Sequence, residues 1–419
     1  MRKLLAVIVC GTLALIAGCG AGSGGGTTTV GGGGGTPPGS NVQAIAVDGG
    51  LPLTAAGFFV NGVFTTVTVC MPGTTTCQAI DHVLVDTGSV GLRLLDSAGG
   101  GEFSLALQPE TISAGGSSIA NCAQFLDGTF LWGPMELADV KMGSEVAPSV
   151  PVQIAGATAF ATVPTSCSVG GTSDNTLAAL GANGILGVGL FPQDCGPGCA
   201  NAATPLPGFY YTCATPSTCA AANVPVLLQA QNPVTMFPVD NNGVIIELPA
   251  VPAAGSATVS GSMIFGIGTQ SNNTLGTAKI FPSDLSGNFI TSFGTNTNIQ
   301  SFIDSGSNGL FFLDSVTTGI PLCSGTSQAP GFYCPTATQS LTATQKGATG
   351  TTTNAVSFSI ANANSLIAGN PNGAAFSNLG APAGATLFDW GLPFFYGKNV
   401  FVAIEGTTNP GGAGPFWAY

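Results

Sequence analysis

The 419-residue chain is poor in charge. Charged residues make up 6% of it, against about 25% in an ordinary soluble protein. Only seven are basic and nineteen are acidic, for a formal net charge of −12. That balance excludes a phosphate-facing basic surface, so no nucleic-acid partner is expected. Histidine is nearly absent: there is one, His82. A multi-histidine metal site is therefore impossible, and any Ser-His-Asp scheme would depend on this single residue. No metal and no cofactor is expected. Glycine-rich stretches such as 31–35 lack the lysine and the strand-to-helix setting of a phosphate cradle. Beyond the N-terminal segment no uninterrupted apolar run reaches the roughly 20 residues of a membrane-spanning helix. Long amphipathic helical periods are scarce as well.

What the chain does have is apolar residues (44%), 63 glycines and 28 prolines. The length fits two or three domains, or one large two-lobed body. Short β-branched or alternating runs recur, among them Phe58–Val69, His82–Val85, Ala138–Met142, Val244–Leu248, Met263–Phe265 and Val400–Ile404. Glycine, proline and asparagine punctuate them. The pattern predicts a mostly-β protein.

The N-terminus reads as an address. Arg2 and Lys3 precede the apolar run Leu4–Ile16, which ends Ile16-Ala17-Gly18-Cys19. The run is too short to span a membrane, and small residues before a Cys resemble the lipobox of bacterial lipoproteins. On that reading residues 1–18 are a signal peptide and Cys19 becomes the lipid-modified N-terminus. The alternative is an ordinary secretory signal with an incidental Cys. Residues 19–44, rich in glycine, are expected to be a flexible tether. The implied location is the bacterial cell envelope, periplasmic or surface-facing, with the membrane as a partner through the lipid anchor. Gly20 is no Asp-type inner-membrane retention signal, which favours an outer membrane.

Twelve cysteines are present. Setting aside Cys10 and Cys19 leaves ten, an even number that fits export to an oxidising compartment. Their connectivity is open from sequence. Close spacing suggests Cys70–Cys77, Cys195–Cys199, Cys213–Cys219 and Cys323–Cys334, which leaves Cys122 and Cys167. A zinc site is the weaker reading, since no histidine is near them.

Two segments match each other. Residues 86–97 read DTGSVGLRLLDS and residues 304–315 read DSGSNGLFFLDS; eight of the twelve positions are identical. Each follows an apolar strand end. Chance would give on the order of 0.1 hits to Asp-[Thr/Ser]-Gly-[Ser/Thr] in such a chain. An Asp at a strand end can be aimed at a shared site. A glycine lets the other backbone approach, and neighbouring hydroxyls can grip the opposite loop or orient the carboxylate. Two such loops face to face bring two carboxyls together, which then share a proton and can serve as general base and general acid around a water. This hydrolytic chemistry needs neither histidine nor metal.

With these motifs the chain resembles the pepsin-like, bilobal aspartic peptidases. The segment GILGVG (184–189) is similar to the apolar-apolar-Gly strand that threads under the first catalytic loop of that family. Residues 387–404 resemble its C-terminal counterpart, and Met263–Ile267 a strand opening the second lobe. The details also look like a bacterial lipoprotein group of unassigned function related to that clan. The resemblance implies an all-β fold of two pseudo-twofold-related lobes, 45–237 and 238–419, with a cleft between them. It implies Asp86 and Asp304 as the catalytic pair, Thr87 and Ser305 as the cross-loop grip, Ser89 and Ser307 as partners of the carboxyls, and Gly88 and Gly306 as the close-approach positions. The implied activity is aspartic endopeptidase action on a peptide or protein substrate in the cleft, by a monomer.

Two departures from that family stand out. The region 122–133, where the family's flap hairpin belongs, has Phe125 and Trp132 but no tyrosine. Phe125 is the candidate flap residue. The aromatic that follows the first motif in the family is also replaced. These differences motivate an alternative, a catalytically silent surface binding lipoprotein of the same fold, and a third reading, a structural envelope lipoprotein. His82, Asp96 and Asp314 are expected to be structural, and Arg93 to sit at the surface or in a salt bridge.

Overall fold

The computed structural model describes residues 40–51, 59–113, 115–169 and 171–419. Residues 1–18, Cys19 and the tether as far as residue 39 lie outside the described residues. The strand Val42–Val47 takes in the last three residues assigned to the tether. It pairs antiparallel with Val259–Phe265 over six positions, from Val42↔Ile264 to Val47↔Val259. Its alternation buries Ile45 and Val47.

The described residues hold 26 strands and five α-helices, none longer than seven residues. Seventeen strands form one large sheet and seven form a second, with a two-stranded ribbon besides. Strands from both sides of residue 237 share the large sheet: Val42–Val47 pairs with Val259–Phe265, which pairs in turn with Gly243–Leu248.

The same knot of strands occurs twice. In the first half, strand Cys77–Asp86 enters a loop and Val90–Leu95 leaves it. Strand Gly184–Val188 runs between them, parallel to the first (Gly187↔Asp86) and antiparallel to the second (Gly187↔Gly91). In the second half, Asn296–Ile303 enters, Leu310–Phe312 leaves, and Leu387–Trp390 runs between (Trp390↔Ile303, Leu310↔Trp390). A glycine is required at each crossing. A Cβ on Gly187 would stand 2.5 Å from the Val90 nitrogen, and one on Gly391 would stand 2.1 Å from the Gly309 oxygen. With two halves built alike, the fold is the all-β, bilobal, pepsin-like one expected.

The cores of the halves differ. Around the first loop the packing is aliphatic: Val83, Val85, Leu92, Leu94, Val152, Ile154 and Leu186 are all buried. Around the second it is aromatic. Phe388 and Trp390 stack at 4.1 Å between ring centroids, Phe312 stacks on Phe388 at 5.0 Å, and Phe358 meets all three edge-on. Such ring pairs add about 0.5–1.5 kcal/mol each beyond their area burial.

The ten cysteines form five disulfides: Cys70–Cys77, Cys122–Cys167, Cys195–Cys199, Cys213–Cys219 and Cys323–Cys334. Four are the pairs that close spacing suggested, and Cys122–Cys167 is the pair that was left. They fit an extracellular or periplasmic location. Among the described residues no helix is long and apolar enough to cross a membrane.

Candidate active site

The two Asp loops meet at the centre of the molecule, and hydroxyls lock them together. Thr87 Oγ1 donates to the Ile303 carbonyl at 2.9 Å and accepts from the Ser305 N–H at 2.9 Å. Ser305 Oγ donates to the Val85 carbonyl at 2.7 Å and accepts from the Thr87 N–H at 3.1 Å. Each hydroxyl thus satisfies one carbonyl and one N–H of the opposite half. Such buried backbone groups would be costly to leave unpaired.

That grip fixes the carboxyls. Asp86 Oδ1 accepts the Gly88 N–H at 2.8 Å, and Asp304 Oδ1 accepts the Gly306 N–H at 2.7 Å. A Cβ on Gly88 would lie 2.7 Å from the Asp304 carboxyl carbon, and one on Gly306 would lie 2.6 Å from Asp86 Oδ1. Only glycine lets the two carboxyls approach in this way. Ser307 donates to Asp304 Oδ2 at 2.7 Å. Ser89 stands beside Asp86 in the equivalent place, where its hydroxyl favours the charged carboxylate.

Both carboxyls are held above the ordinary carboxylate range, and the first cause in each is burial: Asp86 and Asp304 expose 0% of their surface. The two carboxyls act on each other, so they titrate as a pair. Asp304 is pushed well up, next by the charge on Asp86 and then by that on Asp389. For Asp86 the bond from Asp304, the Ser89 hydroxyl, the Gly88 N–H and the charge of Arg93 all oppose the rise. Asp304 is thus the carboxyl held further up, and Asp86 the one whose surroundings favour its charge.

A mostly apolar pocket of about 670 Å³ adjoins the pair. Gly88, Ser89, Leu126, Leu190 and Phe191 line it from the first half; Gly287, Phe302, Leu387 and Trp417 line it from the second. It reaches the loop at Gly88 and Ser89, which stand between it and the carboxyls.

The flap candidate is placed differently from expectation. Phe125 begins the turn between strands Ser118–Gln124 and Thr129–Met142, but its ring is buried with Phe64, Leu84, Leu95, Leu131 and Ile185. Leu126, the next residue, is 37% exposed and lines the pocket. Successive side chains of an extended chain point to opposite faces, and the apolar core claimed the larger ring. Trp132 is also buried, donating to the Phe160 carbonyl at 2.9 Å.

His82 lies apart from the pair, between Asp81 (2.8 Å) and Asp48 (3.5 Å). The bond to Asp48 leads in raising its pKa to about 9. Asp96 and Asp314 each accept an N–H two or three residues on, from Ala98 and Thr317, and cap equivalent short helices. Arg93 is buried, not superficial. It pairs with Asp194 at 3.0 Å and donates to Asn121 and Gln153. Asp389 was not singled out by the motifs. It lies in strand Leu387–Trp390, exposes 0%, and neighbours Ser307. Its signal in the sequence is a lone carboxylate inside the apolar run LFDW.

Fold and site together define an all-β protein with a paired-aspartate centre. The chain belongs to the family described as "Protein of unknown function (DUF3443)", which matches residues 37–419. No curated protein matches it. Among solved structures it is similar to the aspartic proteinase from Irpex lacteus. The two share 17% identity over 90% of this chain and 96% of that one, with a TM-score of 0.49.

Proposed function

We propose that this protein is an exported, lipid-anchored aspartic endopeptidase that cleaves peptide bonds with a water activated by Asp86 and Asp304. The observation that carries the reading is the complete paired centre. Two buried carboxyls lie together, each accepts a glycine N–H, Ser307 orients Asp304 while Ser89 stands beside Asp86, and the loops are cross-locked by Thr87 and Ser305. In this scheme the charged Asp86 takes a proton from a water held between the carboxyls. Asp304 gives its proton to the peptide carbonyl oxygen as the water attacks. The two then exchange roles to protonate the leaving nitrogen. The adjoining apolar pocket suits an apolar side chain of an extended peptide. Cys19 would tether the enzyme to the envelope membrane.

One observation favours the second reading, a silent binding lipoprotein: neither carboxyl is exposed, so cleavage requires that the turn at Leu126 or the facing wall move aside.

The soluble body, residues 40–419, is to be incubated with an unfolded protein from about pH 3 to 7, beside Asp86→Asn and Asp304→Asn. Acid-dependent cleavage abolished in both variants is the expected result. A folded body that cleaves nothing at any pH would transfer the assignment to the binding protein.

A further inference from the structure

Each Asp loop has an outer end as well as the inner face that Thr87 and Ser305 lock. The fourth residue after the aspartate is Val90 in the first half and Asn308 in the second. The Val90 carbonyl accepts from Arg93 Nη2 at 3.3 Å, a side chain three residues further along the same strand. The Asn308 carbonyl accepts from Asn61 Nδ2 at 2.9 Å, a side chain 247 positions away in the first half. Equivalent carbonyls are thus held in both halves, but the second is held by the opposite half.

Asn61 is built into that place. It exposes 0% and adopts φ +52°, a left-handed conformation that asparagine tolerates better than most side chains. Its amide can donate two hydrogen bonds and accept two, and all four are made. Nδ2 donates to the Asn308 and Phe376 carbonyls, both at 2.9 Å. Oδ1 accepts the Phe376 N–H and the Tyr396 hydroxyl, both at 2.8 Å. Its backbone N–H donates to the Ala374 carbonyl at 2.7 Å. Every one of these partners belongs to the second half. Only an amide fits the set: an aspartate would set an acceptor against two carbonyls, and a leucine would strand both carbonyls and one N–H.

The bond to Asn308 falls one residue from the support of the second carboxyl. Ser307 Oγ donates to Asp304 Oδ2 at 2.7 Å, and the Ser307 carbonyl accepts the Leu392 N–H at 2.7 Å. Two successive carbonyls of the loop are therefore fixed, one by its own half and one by the first. Asn308 is buried, so a carbonyl released there would draw the loop toward another partner. We propose that Asn61 is a positioning residue: by holding the Asn308 carbonyl from the first half, it keeps the Ser307 hydroxyl on Asp304 and so aligns the second carboxyl with the first. The consequence for rate rests on the peptidase reading; the alignment does not.

The test measures kcat and KM of the soluble body and of Asn61→Gly, together with hydrogen exchange of the Gly306 and Gly88 amides, which bond Asp304 and Asp86. Glycine adopts the positive φ freely, so this variant removes the side chain alone. The expected result is a kcat lowered about 10-fold or more at unchanged KM, because alignment is lost while Asn61 lies outside the pocket lining. The Gly306 amide should exchange at least about 10-fold faster, and the Gly88 amide at the parent rate. Val60→Ala loosens the neighbouring cluster of Phe311, Phe376 and Leu379 without touching the Asn308 carbonyl. It should lower stability and leave kcat and the Gly306 amide as they are. An unchanged Gly306 amide in Asn61→Gly, two amides that speed up alike, or a Val60→Ala variant that behaves as Asn61→Gly does overturns the proposal. If the body cleaves nothing, the peptidase reading falls and the amides alone decide. Should Asn61→Gly not fold, Asn61→Asp, which keeps the accepting oxygen and loses both N–H donors, is read in the same way. In the parent the Asn61 side-chain amide protons should exchange as slowly as core amides, and exchange at a surface rate also overturns the proposal.

Discussion

The loops at Asp86 and Asp304 share eight of twelve residues, yet they sit in opposite electrical surroundings. The backbone chemistry is nearly the same twice: one glycine N–H on each inner oxygen, one grip hydroxyl, one neighbouring serine. The flanks differ. Arg93 with its partner Asp194 stands behind the first loop, and Asp389 stands behind the second. A repeated motif thus builds the site, and residues that do not repeat make the surroundings of its two carboxyls unequal. General acid–base work needs that inequality, because two equivalent carboxyls would have no assigned roles.

The comparison can be broken or sharpened by experiment. The largest expected effect is on catalysis. Asp86→Asn and Asp304→Asn should each lower kcat/KM by at least about 10³-fold, since removing either partner of an acid–base pair removes the proton path. Unequal losses would show that only one carboxyl is essential.

On stability the halves should respond unequally. Arg93→Met leaves Asp194 buried without its cation and should cost about 3–5 kcal/mol in denaturant unfolding. Phe311→Leu at the equivalent place should cost under about 1.5 kcal/mol. Opening Cys122–Cys167, whose sequence separation is 45, should cost about 4 kcal/mol by loop-closure entropy. Opening Cys323–Cys334, with a separation of 11, should cost about 3 kcal/mol. The grip, in contrast, should be symmetric. Thr87→Val and Ser305→Ala each strand one carbonyl and one N–H, and each should cost about 1–3 kcal/mol.

The smallest effects are those of pH. Asp86, Asp304 and Asp389 have raised pKa values in the fold, so the folded state binds their protons more tightly than the unfolded chain does. Their contribution is therefore most favourable below the unfolded value of about 4 and is lost as pH rises through the folded values. Asp389→Asn should flatten that decline in a thermal melting series. His82 acts over a higher window. With a folded value of about 9 against 6.5, its contribution is present below 6.5 and lost as pH climbs to about 9. His82→Gln should remove that loss and also weaken the acid-side contribution of Asp48 and Asp81, whose carboxyls His82 helps hold below their ordinary value; that contribution is lost as pH falls.

Much of this was legible beforehand because it was local or repeated. The Asp motifs announced themselves by recurring, and their grip hydroxyls and glycines came with them. Four of the disulfides followed from proximity in sequence, since closing a short loop costs little entropy, and the fifth, Cys122–Cys167, was the pair left over. Phe125 was misplaced because composition says that an aromatic sits in a hairpin turn but not which face it takes; that is set by what Phe64, Leu84 and Ile185 leave to be filled. Asp389 escaped because it lies 85 residues after Asp304 and belongs to no repeat. Only the threading of Leu387–Trp390 between two other strands sets it opposite Phe302 and Phe311, on the strands that enter and leave the second loop.

By itself the sequence determined the chemistry available: two repeated carboxyl loops, one histidine, few cations and ten pairable cysteines, in strands too short and too glycine-rich for helices. The tertiary structure alone decided how the two carboxyls are made unequal and how far they are shut from water. Those properties depend on distances between side chains remote in sequence, and electrostatic coupling and desolvation act through space, not along the chain.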